Sequence, residues 1–486
     1  MGKRQAQTKK KGGALKRFLI GVCVGLAVVV VLGAALYSTL NNNGFFQRRT
    51  VAISSENYQV DNMIMSYHFY TQYQNFMNYY GGYASSFGLD TSKSLKTQVC
   101  PLTANNSSWY SYFMDMAVDQ VQSMLVFCEE AQVRGITLDD AEYDEIDAAI
   151  KDLKKQVRTT GSSISLIYGT GVNAKDVRRA LEMEALASKC KQAIVDEYSY
   201  GEADFDAYIE ENPNALLHYS YANITLTTQD GVAEGDITAD MLKDFQTQFE
   251  AVTTKEAFDA VAFDYLRNYV YKDDEKTTDD KINEEIAGFV SENTLYPTTE
   301  TDFSKWAKGE GAVNTVYASM NEEGTALDVY FLMAKPALQD YKTVNVRHIL
   351  LTAATYGSDD AAKAKAEELL AQWQAGEKTA ESFAALAGEY TEDSAKDGLY
   401  ENVLKGDMVD EFNDWIFAEG RAVGDTEIVK TQFGYHIMYL DGFGGPAWHA
   451  EAEDALMQAR YEEDVKALTE KYPSTVSDVA LALLDI

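Results

Sequence analysis

Two of the five histidines in this 486-residue chain lie inside apolar, alternating runs. His348 sits in Val344-Asn345-Val346-Arg347-His348-Ile349-Leu350-Leu351, and His436 in Phe433-Gly434-Tyr435-His436-Ile437-Met438-Tyr439. Alternation of period two marks strands that pair centrally in a sheet. A buried imidazole needs a hydrogen-bonding partner, because an unpaired buried polar group costs about 1–3 kcal/mol. Either histidine alone reads most simply as a satisfied core residue. Two of them on such strands describe a polar spot in an apolar floor, the arrangement from which electrostatic catalysis is built.

The segment between them reads as a compact α+β unit. Ser358 is placed to N-cap a helix from Asp359 to Ala375, which Gly376 stops. Ala362, Ala366, Leu369, Leu370 and Trp373 recur there at helical spacing. A shorter helix starts near Thr379 and carries Phe383, Leu386 and Ala387 on one face. A glycine turn at Asp397-Gly398 follows, then a short amphipathic turn of helix around Glu411–Phe417. Ile428–Thr431 leads through Gly434 into the strand bearing His436.

The order of these elements resembles the parvulin family of peptidyl-prolyl cis/trans isomerases. The resemblance covers residues 343–443 and rests on four separated runs: RHILL (347–351), SFAALAGEYTEDS (382–394), GDMVDEF (406–412) and KTQFGYHIMYL (430–440). It implies a four-stranded antiparallel sheet wrapped by about four helices, with the active site on one sheet face. Carried over by position, His348 and His436 match the family's paired histidines. Asp393 matches a position held by Asp or Cys, and Thr431 a hydroxyl in the polar network. Met408 and Phe412 match the proline-ring pocket, which Tyr400 and Phe417 line.

That chemistry suits those residue types. Amide resonance sets a barrier of about 18–20 kcal/mol, so X-Pro bonds isomerise over tens to hundreds of seconds. An apolar cup of Met408, Phe412 and Phe417 would hold the proline ring while the preceding carbonyl rotates. His348, His436, Thr431 and Asp393 would fix the electrostatics around it. Asp393 is read as an electrostatic residue rather than a nucleophile, and neither metal nor cofactor is required. Two departures from the family pattern matter. Lys396-Asp397-Gly398 supplies one glycine where many members have two. The loop Thr352–Asp360 holds no Lys or Arg, unlike members specific for phosphorylated residues, so unmodified, unfolded or newly exported chains are the expected substrates.

The chain opens with Lys3, Arg4, Lys9, Lys10, Lys11, Lys16 and Arg17, then an uncharged stretch from Phe18 to Leu40. Such a segment is long enough to span about 30 Å of hydrocarbon once. Its basic flank predicts a cytoplasmic N-terminus and an extracytoplasmic remainder. A cleaved signal peptide is the competing reading, with small residues at Ala34-Ala35. Lys plus Arg total 42 against 76 acidic residues, a net charge of −34, which excludes nucleic acid as a natural partner. Three cysteines outside the apolar segment, Cys100, Cys128 and Cys190, cannot all pair, so this is no disulfide-stapled scaffold. The acidic run Asp273-Asp274-Glu275 with Asp279-Asp280 reads as a solvated loop.

The expected fold class is α+β multidomain: a basic tail (1–17), a transmembrane helix (18–40), a helical lobe (50–212), two parvulin-like domains (215–340 and 343–443), and a C-terminal helix and tail (447–486). The helical lobe carries Met63, Tyr67, Phe69, Tyr70, Tyr73, Phe76, Met77 and Tyr80, then Trp109, Tyr112, Phe113, Met116, Met124, Leu125 and Phe127. Such stripes read as core, or more sharply as an adaptable cradle for unfolded segments. The layout is similar to the PrsA/SurA type of extracytoplasmic foldase, in which a C-terminal helix returns to the helical lobe; Ala447–Lys471, ended by Pro473, is its counterpart here.

Residues 215–340 parallel the isomerase segment. Lys255–Tyr265 matches Ala380–Tyr390, and Tyr221–Leu226 matches Val346–Leu351, both at an offset of 125. Asp302–Trp306 resembles Glu411–Trp415, and Val329–Met333 resembles Gly434–Met438. This places Asn223 at the first histidine position and Phe331 at the second, so the earlier copy is expected to be catalytically silent. The whole reads as a membrane-anchored foldase that isomerises and holds proline-containing clients. A non-catalytic holdase and an envelope assembly scaffold are the alternatives, and a homodimer is compatible with either.

Overall fold

The computed structural model describes residues 31–32, 34–231, 236–272 and 274–484. It divides into two compact units: residues up to Ser199 together with those from Ala459 onward, and Tyr200–Gln458. Most of the expected membrane segment lies outside the described residues. Within them, no helix is long and apolar enough to cross a membrane.

The first unit is built on the helices Asn62–Tyr80, Trp109–Arg134, Asp140–Thr160 and Ala174–Val195. Local signals start and stop them. Asp61 accepts hydrogen bonds from the amides of Met63 and Ile64 at 2.9 and 3.2 Å. Asp139 with Glu142, and Asn173 with Asp176, form reciprocal capping boxes. Gly135 and Gly161 end their helices in the left-handed conformation. The aromatic stripes turn inward: Phe69, Trp109 and Phe113 are fully buried, and Trp109 stacks on Phe113 at 5.6 Å. These residues are core, while Tyr80 and Met116 of the same stripes are exposed.

Residues from Ala459 onward complete this unit. Tyr461 stacks parallel to Phe127, while Lys471 Nζ and the Tyr472 hydroxyl donate to Glu130 Oε2 at 2.9 and 2.7 Å. Thr475–Val476 then pairs antiparallel with Val51–Ser54, which also pairs with Gln59–Asp61.

The second unit contains two four-stranded antiparallel sheets of the same strand order. In the later sheet Leu399–Val403 pairs with Lys342–Leu351, which pairs with Gly434–Pro446, which pairs with Thr426–Thr431. In the earlier sheet the order is Val290–Leu295, His218–Thr227, Ala326–Ala337, Val316–Met320. Asp279 and Asp280 are not loop residues: they open the helix Asp279–Ala287, where acids complement the positive end of the helix dipole.

Alternation along the strands gives each sheet two apolar faces. In the later domain Ile349, Leu351, Ile437 and Tyr439 face the helices Asp359–Ala375 and Ala380–Tyr390, meeting Trp373 and Phe383. Val344, Val346, Met438 and Leu440 face the other way, against Phe412, Trp415 and Ile416 of the helix Asp410–Ile416. His348 and His436 share the parity of this second face.

Candidate active site

The two central strands set the histidines side by side. His348 lies opposite Met438, and His436 opposite Leu350. The His348 amide donates to the carbonyl of Gly398 at 2.9 Å. Gly398 has φ +71, and a Cβ there would stand 2.4 Å from the His348 carbonyl oxygen. Only glycine lets the turn approach the strand bearing His348 this closely. The single glycine of Lys396-Asp397-Gly398 therefore falls where the backbone needs it. Arg347, on the opposite face, holds the same turn through Asp397 and also reaches Asp441, each at 3.0 Å.

His348 and His436 are buried, and their Nδ1 atoms lie 3.0 Å apart. His348 Nε2 is 3.0 Å from Asp393 Oδ2, and His436 Nε2 is 2.9 Å from the Thr431 hydroxyl. One assignment of hydrogens satisfies every atom. In it His348 Nε2 carries the proton that faces Asp393, and His348 Nδ1 accepts. His436 Nδ1–H then donates to it, His436 Nε2 accepts from the Thr431 hydroxyl, and Thr431 Oγ1 accepts the Phe433 amide at 3.1 Å. The proton positions follow from this network. Burial holds the His436 pKa down at about 4, consistent with a neutral ring.

Asp393 is positioned by its neighbours. Its Oδ1 accepts from the Tyr400 hydroxyl at 2.9 Å and from the Ser394 amide. The hydrogen bond from His348 holds its carboxyl well below the usual carboxylate range. Glu392, which the motif reading passed over, ties the segment to the strand end: it accepts from the Thr352 and Thr355 hydroxyls at 2.6 and 2.7 Å. Its amide donates to the Leu350 carbonyl. A Thr-Glu-Asp-Ser run beside a strand end carrying two threonines was the available signal.

Above the histidines the wall is aromatic. Phe412 stands edge-on to both rings, at 5.2 Å from His348 and 5.5 Å from His436. Tyr400 lies 5.4 Å from His348. Met408 and Phe417 are half-buried against the same cluster. Phe417 turns toward Tyr341, its ring partner at 5.8 Å, at the outer edge of the cup. The structure thus brings His348, His436, Thr431, Asp393, Tyr400 and Phe412 into direct contact, with Met408 and Phe417 bordering them.

Comparison with known proteins bears on this geometry. Residues 332–442 match the model of the PPIC-type PPIase domain. Over 105 residues the chain is 38% identical to the peptidyl-prolyl cis-trans isomerase pin4 of Neurospora crassa, covering 21% of this chain and 71% of that protein. The chain belongs to the parvulin-type peptidyl-prolyl isomerases. Two longer matches extend beyond the parvulin domain. The foldase protein PrsA of Staphylococcus epidermidis is 25% identical over 227 residues, covering 40% of this chain and 67% of that protein. The chaperone SurA of Vibrio parahaemolyticus is 25% identical over 321 residues, covering 64% and 69%.

The earlier copy corrects one sequence-based correspondence. Asn223 does hold the place of His348: its amide donates to the Phe289 carbonyl at 3.0 Å, as that of His348 does to Gly398. Phe331 does not hold the place of His436. The residue opposite Leu350 is His436, and the residue opposite its counterpart Thr225 is Asp328. Phe331 instead packs on Phe258 beneath the helices, as Tyr439 packs on Phe383 in the parvulin domain. The local likeness of Tyr330-Phe331-Leu332-Met333 to Tyr435-His436-Ile437-Met438 had shifted the match by three residues and so onto the wrong face. Asp328 is exposed and accepts from the Thr225 hydroxyl at 2.7 Å. On the same face Phe303 stacks on Tyr330 at 4.1 Å, among Tyr219, Tyr221 and Trp306.

Proposed function

We propose that this chain is a foldase, anchored by residues 18–40, whose parvulin domain turns over X-Pro bonds in unfolded, exported polypeptides. The observation that carries this reading is the continuous hydrogen-bonded chain of Phe433, Thr431, His436, His348 and Asp393, with Phe412 edge-on to both imidazoles.

The chain commits the floor's polar hydrogens inward. A planar amide is stabilised by charge separation between its nitrogen and oxygen, which donors and water favour; twisting the C–N bond removes that separation. A cup formed by Phe412, Met408, Tyr400 and Phe417 would hold the proline ring and exclude water. The imidazoles below, their N–H groups turned along the chain, would then offer little to the planar form that the twisted form loses. Asp393 keeps His348 in the required tautomer, and Thr431 does the same for His436. No bond forms or breaks except the partial double bond that rotates. The loop after the first strand ties Thr352 and Thr355 to Glu392 and presents no cation to a phosphate, which favours unmodified substrates.

The earlier copy, with Asn223 and Asp328 at the two positions, lacks this floor and is proposed to be silent. The helical unit, completed by the returning C-terminal residues, would hold clients; its likeness to PrsA and SurA supports that part.

Exchange spectroscopy on a proline peptide with the full chain tests the catalytic claim. Wild type should accelerate cis/trans exchange, and His348→Ala should lower the acceleration by about tenfold or more. Equal, uncatalysed rates for both would remove the enzymatic reading. Suppression of client aggregation by His348→Ala, at the wild-type level, would show holding to be separate.

A further inference from the structure

The chain carries a net charge of −34, yet one cavity in its first unit is cationic. A groove of about 510 Å³ runs between the helices Asp140–Thr160 and Ala174–Val195. Six of its nine lining residues are Lys151, Lys154, Lys155, Arg158, Lys175 and Arg178, and Asp147 is the one acid among them. Arg178 is neutralised by Asp147 and Glu182. The other five make no ion pair among the described residues, although acids outnumber bases by 76 to 42 in the chain. The helix dipole accounts for Arg158, the one cation in its last turn, and not for the other four.

The groove's position indicates what it meets. Arg48 binds Asp176 at 2.8 Å through Nε and the Gly171 carbonyl at 2.7 Å. A Cβ on Gly171 would lie 2.6 Å from the Gly44 nitrogen, so the backbones at 44 and 171 touch. Asp176 is flanked by Lys175 and followed closely by Arg178. The segment that leaves the apolar stretch at Leu40 therefore enters the unit against Gly171 and Asp176, which adjoin the groove residues Ala174 and Lys175 in the chain. Three residues separate Leu40 from Gly44, at most about 14 Å of chain. The short helix Ile164–Tyr168 joins the two groove helices, and its Leu166 is 76% exposed. Phe45 and Phe46 are also exposed. Clustered cations beside exposed apolar side chains suit the headgroup region of an anionic bilayer.

We propose that this groove binds the phosphate headgroups of anionic lipids and seats the helical unit on the membrane surface. The placement argument rests on the proposed anchor; the charge argument does not. The attraction falls off within a Debye length of about 8 Å at physiological ionic strength, so it acts only on a surface the groove already faces. A strongly acidic chain is otherwise repelled by such a surface, and the groove gives it one orientation.

Lysine footprinting with an amine-reactive ester tests this on the full chain reconstituted in vesicles. Lys151, Lys154, Lys155 and Lys175 should react about fivefold or more slowly in phosphatidylglycerol–phosphatidylcholine vesicles than in phosphatidylcholine alone. Exposed Lys363, in the other unit, should react equally in both. The protection should vanish at 1 M NaCl, where the Debye length is about 3 Å. In Lys154→Gln/Lys155→Gln/Arg158→Gln it should be lost from Lys151 and Lys175 while thermal unfolding stays unchanged. Equal reactivity in the two vesicle types would overturn the proposal. So would equal protection by inorganic phosphate without vesicles, which would make the groove an ion site. Release of the chain by alkaline washing, with the lysines still protected, would overturn the anchor and support the groove.

Discussion

His348 and His436 meet nitrogen to nitrogen, Nδ1 to Nδ1 at 3.0 Å, so one proton must serve both. Asp393 closes one end of this pair and Thr431 the other. The pair is therefore a single hydrogen-bonded unit.

The buried His436 ring should resist protonation, and the fold should weaken in acid as a result. With its folded pKa near 4 against about 6.5 when unfolded, His436 binds fewer protons in the folded state between those values. Stability from this group is then complete above pH 6.5 and is lost as pH falls toward 4. Ring-nitrogen chemical shifts should show His436 neutral at pH 6, with a midpoint near 4. Protonation near its ordinary value would contradict the hydrogen-bond assignment.

Thr431 supplies the hydroxyl that His436 Nε2 accepts, and it is itself buried. Thr431→Val keeps the shape and leaves both Nε2 and the Phe433 amide without a partner. Thermal or denaturant unfolding should show a loss of about 1–3 kcal/mol, with Thr431→Ser recovering most of it. A valine variant as stable as wild type would mean the hydroxyl is idle.

Gly398→Ala brings a methyl into the His348 carbonyl at a left-handed backbone position. It should lower both stability and isomerase rate, since the displaced strand carries His348. Gly357→Ala is the matched control: φ is +87, but nothing lies within 4 Å of the added Cβ. It should cost only the left-handed penalty of about 1–2 kcal/mol and leave turnover intact. Equal effects of the two on activity would rule out the steric explanation.

In the earlier copy, Phe303 is buried in the stack with Tyr330. Phe303→Ala should destabilise by about 3–5 kcal/mol. Proline-peptide exchange should be unchanged at temperatures where the chain stays folded, because the aromatic face replaces a polar floor rather than supplementing it. A fall in exchange rate would show that the two copies work together.

Much of the site was legible locally. Alternation placed His348 and His436 on strands, and period-two parity put them on the face opposite Ile349 and Ile437. Ser358 and Gly376 bound the helix Asp359–Ala375 as their chemistry requires. Glu392 was not legible as a functional residue, because its role lies in reaching Thr352 and Thr355 across forty residues of chain.

The sequence alone determined the elements, their amphipathic faces and the residue types available to the polar floor, because propensity, capping and periodicity act over a few residues. Tertiary structure decided which atoms share protons and which residue of the earlier copy stands at the His436 position. Similar side-chain strings suggested Phe331, but strand register is set by backbone hydrogen bonds to a partner over a hundred residues away, and those bonds chose Asp328.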